Sequence, residues 1–285
     1  PCCHHGLTPP CTDAIIKSKI SEVIYAIADI DKRVSNKSFK ILRSNKVIVK
    51  KGLLKSRAEN FYYPYFFNRK KKLPFTTGKL AISKNELIYS KKQKKITNIY
   101  SDKFTHLLRY QNDCLLITYK TLNKDNPKLD CRLKGFEKYS PKRVILDKKI
   151  KTKINSFIFR TSNKKNTIIF YNKADKSKIT KFKRKGIQLI KSKIDKKNNF
   201  DIKIILKRLY KYGCRNLLIE GGNSLTNSLI KNKIFNKFYL FKSPKHLSET
   251  SDYLKFSGLD ILNKKYKTKI NLNLNLRNDK ITLYK

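Results

Sequence analysis

Three features of the chain predict an α/β fold built on a mixed sheet. From Phe75 onward, short apolar runs alternate with amphipathic stretches. The stretch from Asp201 to Tyr212 places Ile202, Ile205, Leu206 and Leu209 on one face and stops at Gly213, as a glycine-capped helix does, just before a strand at Asn216 to Glu220. The end of the chain alternates Ile270, Leu272, Leu274 and Leu276 with Asn, turns at Asn278-Asp279 and resumes at Ile281 and Leu283, a hairpin that would close one edge.

In chain order, a cysteine loop comes first. A short helix near Thr12 to Lys19, a strand Val23 to Ala28, a helix near Ser38 to Arg43 and a strand Val47 to Lys50 follow. The run Asn60 to Lys72 is aromatic (Phe61, Tyr62, Tyr63, Tyr65, Phe66, Phe67), then basic, and ends before Pro74. It reads as a connection, which sets two domains, 1–70 and 71–285. The second domain continues with a strand Phe75 to Ile82, a helix around Ser101 to Gln111, and strands Cys114 to Thr118 and Arg143 to Leu146. Strands near Ser156 to Arg160 and Thr167 to Tyr171 come next, and a helical segment Leu225 to Lys231 follows the strand ending at Glu220.

Apolar residues make up 39% of the 285, enough for a core despite a mean hydropathy of −0.58, so the chain reads as globular. No apolar run is long enough to span a bilayer, which predicts a soluble, cytoplasmic protein with no membrane partner. Lys and Arg number 68 against 20 Asp and Glu, a net +48. These cations are dispersed and accompanied by no zinc-finger pair or aromatic RNA-binding signature, which argues against specific nucleic-acid binding and fits an anionic, phosphorylated small molecule. Six cysteines, at 2, 3, 11, 114, 131 and 214, are too few for a disulfide scaffold, so a reducing compartment is expected. There is no methionine, and the chain opens on Pro1-Cys2, which leads us to expect that the natural start is missing.

Two local motifs carry chemistry. In Pro1-Cys2-Cys3-His4-His5-Gly6-Leu7-Thr8-Pro9-Pro10-Cys11, a Gly/Pro-rich loop can bring Cys2 and Cys11 back onto one Zn²⁺, either as part of a catalytic site or as a structural or adventitious one. In Leu217-Leu218-Ile219-Glu220-Gly221-Gly222-Asn223-Ser224, a strand runs through two glycines into a helix. Glycines there either let a phosphate approach the helix N–H groups or simply satisfy a tight turn that needs φ > 0. It is not Gly-x-Gly-x-x-Gly, so a standard Rossmann site is not expected.

The cysteine string resembles the second zinc motif of the deaminase domain in bifunctional riboflavin-biosynthesis deaminase-reductases. The downstream order Ile96-Thr97, Leu107-Leu108-Arg109, Thr121 to Arg132, Asp147 and Glu220-Gly221-Gly222 resembles the reductase domain of the same family. That resemblance implies a dihydrofolate-reductase-like reductase domain with a mixed sheet, preceded by the C-terminal part of a cytidine-deaminase-like α/β domain. It implies NADPH as cofactor, held by Thr121, Asp125, Gly222, Asn223, Ser224, Leu225, Thr226, Asn227 and Ser228. The phosphorylated pyrimidine substrate, 5-amino-6-(5-phosphoribosylamino)uracil, would be held by Arg109, Leu129, Arg132 and Glu220. Cys2 and Cys11 become zinc ligands of an incomplete site, His4 would lie beside the deaminase substrate, and deamination is expected only of a full-length protein. A homodimer through the reductase domain is also expected. Lys79 is a candidate proton donor, or one more solvated lysine.

Departures from the family pattern include Asn36 and Ser38 where glycines are usual, Lys95 in place of a tryptophan and Lys148 near the cofactor. Two further readings stay open: a stand-alone reductase of the same superfamily with another pyrimidine or pterin substrate, and a basic nucleic-acid-binding protein with a degenerate enzyme fold. His106 and His246 are read as surface or packing residues.

Overall fold

Between turn residues, the Ile/Leu/Val/Phe runs form strands, and the amphipathic stretches form helices that cover them. The computed structural model describes residues 1–31, 33–93, 95–250 and 252–285, and divides into two units, Pro1–Leu73 and Pro74–Lys285. Among the described residues, no helix is long and apolar enough to cross a membrane.

The smaller unit consists of α1 (Cys11–Lys17), β1 (Glu22–Tyr25), α2 (Lys37–Ser44), β2 (Ile48–Lys51) and α3 (Lys55–Lys71), with β1 and β2 paired in parallel. The aromatic-basic run expected to be a connection lies inside α3. Although Pro64 removes one helical hydrogen bond, rings one turn apart, such as Tyr62 and Phe66 with centroids 6.3 Å apart, pack along the helix, and no glycine interrupts it.

The larger unit begins with β3 (Phe75–Ile82), β4 (Leu87–Ser90), α4 (Ile99–Tyr110), β5 (Cys114–Thr118), α5 (Tyr119–Asp125) and β6 (Lys142–Leu146). It continues with α6 (Phe157–Arg160), β7 (Thr167–Tyr171), α7 (Lys176–Arg184), β8 (Gln188–Lys191), α8 (Ile202–Lys211) and β9 (Asn216–Ile219). Last come α9 (Asn223–Lys231), β10 (Lys237–Lys242), β11 (Tyr253–Lys255), α10 (Leu259–Lys265), β12 (Lys269–Asn271) and β13 (Lys280–Tyr284). Among the described residues, nine strands form one sheet in the order β12-β13-β10-β3-β9-β5-β6-β7-β8. From β10 to β8 all neighbours are parallel, while β13 lies antiparallel on β10 and β12 antiparallel on β13. This is the mixed sheet with an antiparallel edge that the sequence predicts, although the hairpin's first strand stops at Asn271.

Central strands of a parallel sheet are covered on both faces, and Leu115, Leu116 and Ile117 of β5 are accordingly fully buried. Leu115, Ile117, Ile145, Ile169, Leu218 and Phe241 belong to one core cluster, each side chain contributing roughly 1.5–3 kcal/mol of burial. Helix α8 is bounded as its sequence dictates: Asp201 Oδ1 accepts from the N–H groups of Lys203 at 2.8 Å and Ile204 at 3.2 Å, and Gly213 takes φ +88°. The segment expected as a strand at Ser156 to Arg160 is instead α6. Ser156 Oγ accepts from Phe159 N at 3.2 Å, and that N-cap decides for helix over a short apolar run.

Candidate active site

Strands β5 and β9 are parallel neighbours, with Cys114 opposite Leu217 and Leu116 opposite Ile219. The chain leaves β5 toward β6 on one side, and leaves β9 toward β10, beyond β3, on the other. Connections that diverge from adjacent parallel strands open a crevice beyond the strands' carboxyl ends, where α/β sheets bind ligands.

Thr118 and Thr121 come from the β5 side. Thr118 caps α5, its Oγ1 3.4 Å from Thr121 N and 3.3 Å from Thr121 Oγ1. Glu220, Gly221 and Gly222 come from the β9 side. Neither glycine has a positive φ, so the turn does not require glycine for its backbone conformation. At Gly221 a methyl group would come within 3.1 Å of Leu225 Cδ2 and Thr226 Oγ1, so any larger residue requires those side chains to give by a few tenths of an ångström. At Gly222 a methyl would meet only Thr121 Oγ1, at 3.9 Å, so its missing side chain leaves open space. No side chain caps α9, and its first intrahelical bond is Thr226 N to Gly222 O at 3.0 Å. The N–H groups of Asn223, Ser224 and Leu225 are therefore the donors this helix end offers to an anion.

The remaining residues assigned to a cofactor are spread along the helices. Thr226 is buried and donates its hydroxyl to Gly221 O, while Ser228 is exposed further along α9. Asn227 Nδ2 donates to Asn223 Oδ1 at 3.0 Å and to Ser257 Oγ at 2.7 Å, so Ser257 is a neighbour of this helix start that sequence reasoning missed. Asp125 is exposed at the end of α5, one turn beyond Thr121.

A charged cluster adjoins Glu220. Arg109 of α4 donates from Nε and Nη2 to the two Glu220 oxygens at 2.9 and 2.8 Å, and from Nη1 to Asp130 O at 3.2 Å. The fork the sequence assigned to a substrate phosphate is thus engaged by Glu220 in this structure. Burial alone would raise the Glu220 carboxyl, but Arg109 and Lys79 more than reverse this and hold it below its ordinary value. Burial also opposes the charge on Arg109, and Glu220 outweighs it. Lys79, on β3, shifts the other way: burial lowers its ammonium against the pull of Glu220, and its Nζ lies 4.8 Å from the centre of the Phe241 ring.

The loop 129–132 lies beside this cluster. Leu129 has φ +57° and its side chain is buried in the core, which leaves its main chain as the part it can offer to a ligand. Arg132 is exposed, with Nε 3.2 Å from His106 Nε2 and 3.4 Å from Asp130 Oδ1. His106 is buried, and its three-residue spacing from Arg109 on one helix face was the available signal that it belongs here. Asp147 is fully buried and holds the turn after β6, accepting from Lys151 N, Thr152 N and Thr152 Oγ1 at 2.7–2.8 Å.

In the smaller unit, Cys2 Sγ and Cys11 Sγ stand 3.6 Å apart beside a cavity of about 440 Å³ whose lining includes Asp29, Asn36 and Tyr65. Two thiolates on one tetrahedral zinc lie about 3.8 Å apart, given Zn–S bonds of about 2.3 Å, so the pair fits two places of such a site. Hydrogen bonding from Cys11 lowers the Cys2 thiol, which favours the ligating form. No group of three His, Cys, Asp or Glu suited to a metal occurs among the described residues, and His4 Nε2 lies 3.2 Å from Arg33 Nη1.

Residues 88–282 match the RibD C-terminal domain family. The riboflavin biosynthesis protein RibD of Aquifex aeolicus is 32% identical over 251 residues, covering 87% of this chain and 68% of that protein. The RibD of Chlamydia trachomatis is 28% identical, covering 87% and 67%. The chain therefore spans about two thirds of the length of these relatives. Among solved structures, Acinetobacter baumannii RibD superposes with TM-score 0.82 at 19% identity, over 100% of this chain and 78% of that one. A Thermotoga maritima diaminohydroxyphosphoribosylaminopyrimidine deaminase/5-amino-6-(5-phosphoribosylamino)uracil reductase gives 0.78 at 24% identity, over 100% and 77%. These superpositions establish the fold.

Proposed function

The chain belongs to the RibD C-terminal domain family, a riboflavin-biosynthesis reductase type, and from that premise we propose that its larger unit is an NADPH-dependent reductase. Its substrate in this reading is 5-amino-6-(5-phosphoribosylamino)uracil, whose ribose is reduced to the ribityl chain. The observation that carries the reading is the juxtaposition of an open Gly222–Thr121 cradle at an uncapped helix start with the Glu220–Arg109–Lys79 cluster, on one strand end.

Bound NADPH supplies the hydride, which C1′ of the ring-opened sugar accepts. Everything else is positioning. Asn223, Ser224 and Leu225 offer main-chain donors to the cofactor's phosphates, and Thr121 and Asp125 lie on the opposite helix. Glu220 keeps lone pairs that Arg109 does not use, and these accept from sugar or base donors. With Arg109 held by Glu220, Arg132 is the fork left for the substrate phosphate. Lys79 holds a proton less firmly than an ordinary lysine, which suits a donor to the opening sugar. In the smaller unit, Cys2 and Cys11 fit two zinc places of a deaminase-type site; with no third ligand gathered beside them among the described residues, no deamination is assigned to this chain.

The test is NADPH oxidation by the purified chain with the deaminated phosphoribosylaminouracil, beside the undeaminated pyrimidine and a dihydropterin. Turnover of the first alone, abolished by Glu220→Ala and by Arg132→Ala, is the expected result. Turnover of the dihydropterin instead, or binding of nucleic acid without NADPH oxidation, contradicts the reading.

A further inference from the structure

The loop 129–132 hangs on one face of α4. Asp130 O accepts from Arg109 Nη1 at 3.2 Å and lies 3.2 Å from His106 Nδ1, and Cys131 Sγ lies 3.5 Å from His106 O. On the loop's far side, Cys131 N donates to Ser140 Oγ at 3.0 Å. The loop's backbone is thereby tied down, while the Arg132 side chain, 55% exposed, keeps its freedom except at Nε.

The neighbours of His106 favour a neutral ring. Arg132 turns two donors toward the ring, its Nε–H toward Nε2 and its backbone N–H toward Nδ1, each at 3.2 Å. Nδ1 also lies 3.2 Å from Asp130 O, an acceptor, so a neutral imidazole with a single proton meets both a donor and an acceptor there. A second proton would make donors of both ring nitrogens and set each against an N–H of Arg132. Burial, and then the charges of Arg109 and Arg132, lower the imidazolium's stability accordingly. The charged and titratable groups facing the ring are Arg109 on its own helix, Arg132, Asp130 and Cys131 on the loop, and Glu220 behind Arg109.

We propose that His106 is a positioning residue that holds Arg132 by its Nε in one orientation, leaving both Nη groups as a ready fork for the phosphate of a phosphorylated sugar substrate. The proposal rests on the reductase reading above. Restraining a long, rotamer-rich side chain before binding removes ordering cost from the bound state, so the effect belongs in substrate affinity rather than in the chemical step.

The test compares wild type, His106→Ala and His106→Gln with the phosphorylated substrate, and measures the inhibition constant of its dephosphorylated counterpart. For His106→Ala, loss of a hydrogen bond to a charged group is expected to raise KM for the phosphorylated substrate about tenfold, with kcat within about twofold. KM for NADPH and the inhibition constant of the dephosphorylated compound stay at their wild-type values. Glutamine, which both donates and accepts, restores most of the affinity. Should the alanine variant fail to fold, the pH dependence decides between the other two proteins. Lowering the pH through the imidazole's titration raises KM in wild type more than in His106→Gln, the titration of the substrate phosphate being common to both. An equal rise for the phosphorylated and dephosphorylated compounds, no rise, or identical pH profiles overturns the role of His106. Absence of turnover by wild type overturns the reductase reading and this inference with it.

Discussion

Replacing Arg109 by methionine keeps much of the side chain's bulk and leaves Glu220 without its bidentate partner. Arg109 and Glu220 are only 11% and 16% exposed, and both Glu220 oxygens are engaged, at 2.8 and 2.9 Å. Stranding one half of a buried ion pair costs about 3–5 kcal/mol. Lys79 still attracts the carboxylate, which favours the lower end, about 3 kcal/mol. For a unit of roughly 210 residues, at about 2–4 °C per kcal/mol, the expected fall in Tm is about 6–12 °C. The sign of the pH dependence follows from the folded-state shift. In wild type the Glu220 pKa is lowered, so the pair's contribution is present above the unfolded carboxyl value of about 4.3 and is lost as pH falls through the lower folded value. In the variant, burial without Arg109 raises that pKa, so protonation relieves the stranded charge and the gap to wild type narrows as pH falls from 7 toward 5. Thermal unfolding followed by circular dichroism at both pH values measures this. The double variant Arg109→Met/Glu220→Gln should recover part of the loss, because no charge is left stranded. A loss below about 1 kcal/mol, the range of an exposed pair, or a double variant no more stable than the single one, refutes the reasoning.

Gly258 packs against α9 so closely that a methyl group there would lie 1.9 Å from Asn227 Oδ1 and 2.8 Å from the Phe256 ring. Gly258→Ala should therefore cost about 1–3 kcal/mol in urea unfolding, with NADPH binding weakened as the α9 start shifts. With a net charge of +48 and two anionic ligands, KM for both NADPH and substrate should rise as ionic strength increases while kcat holds, in steady-state assays at matched pH.

The strands β3, β5 and β7 were legible because each is an apolar run between turn residues, and α8 because its face, its Asp201 cap and its Gly213 stop are all local signals. Ser156 to Arg160 was misread because Phe-Ile-Phe suits either structure, and only the Ser156 hydroxyl on Phe159 N makes it a helix. The aromatic run reads as a connection because it turns basic and ends at Pro74, whereas the structure carries α3 through Pro64, with Tyr62 and Phe66 packed one turn apart. Strand β10, which lies between β3 and β13, was passed over because its two flanking lysines dilute a short Phe-Tyr-Leu-Phe run.

At the candidate site, Glu220, Gly221 and Gly222 stand out locally because they join a strand to a helix. What the sequence hid is pairing. Arg109 meets Glu220 across 111 residues, and Arg132 meets His106 across 26. Such contacts depend on which strands become neighbours, which hydrophobic pattern alone does not specify.

The account turns on the crevice beyond β5 and β9 being the nicotinamide-cofactor site. Titration of wild type and Gly222→Val with NADPH, followed by calorimetry, addresses this directly. Valine's branched side chain fills the space opposite Thr121, so binding should weaken by about tenfold or more, while the melting temperature stays within about 2 °C of wild type. Unchanged NADPH affinity in the valine variant, or no NADPH binding by folded wild type, would contradict the account.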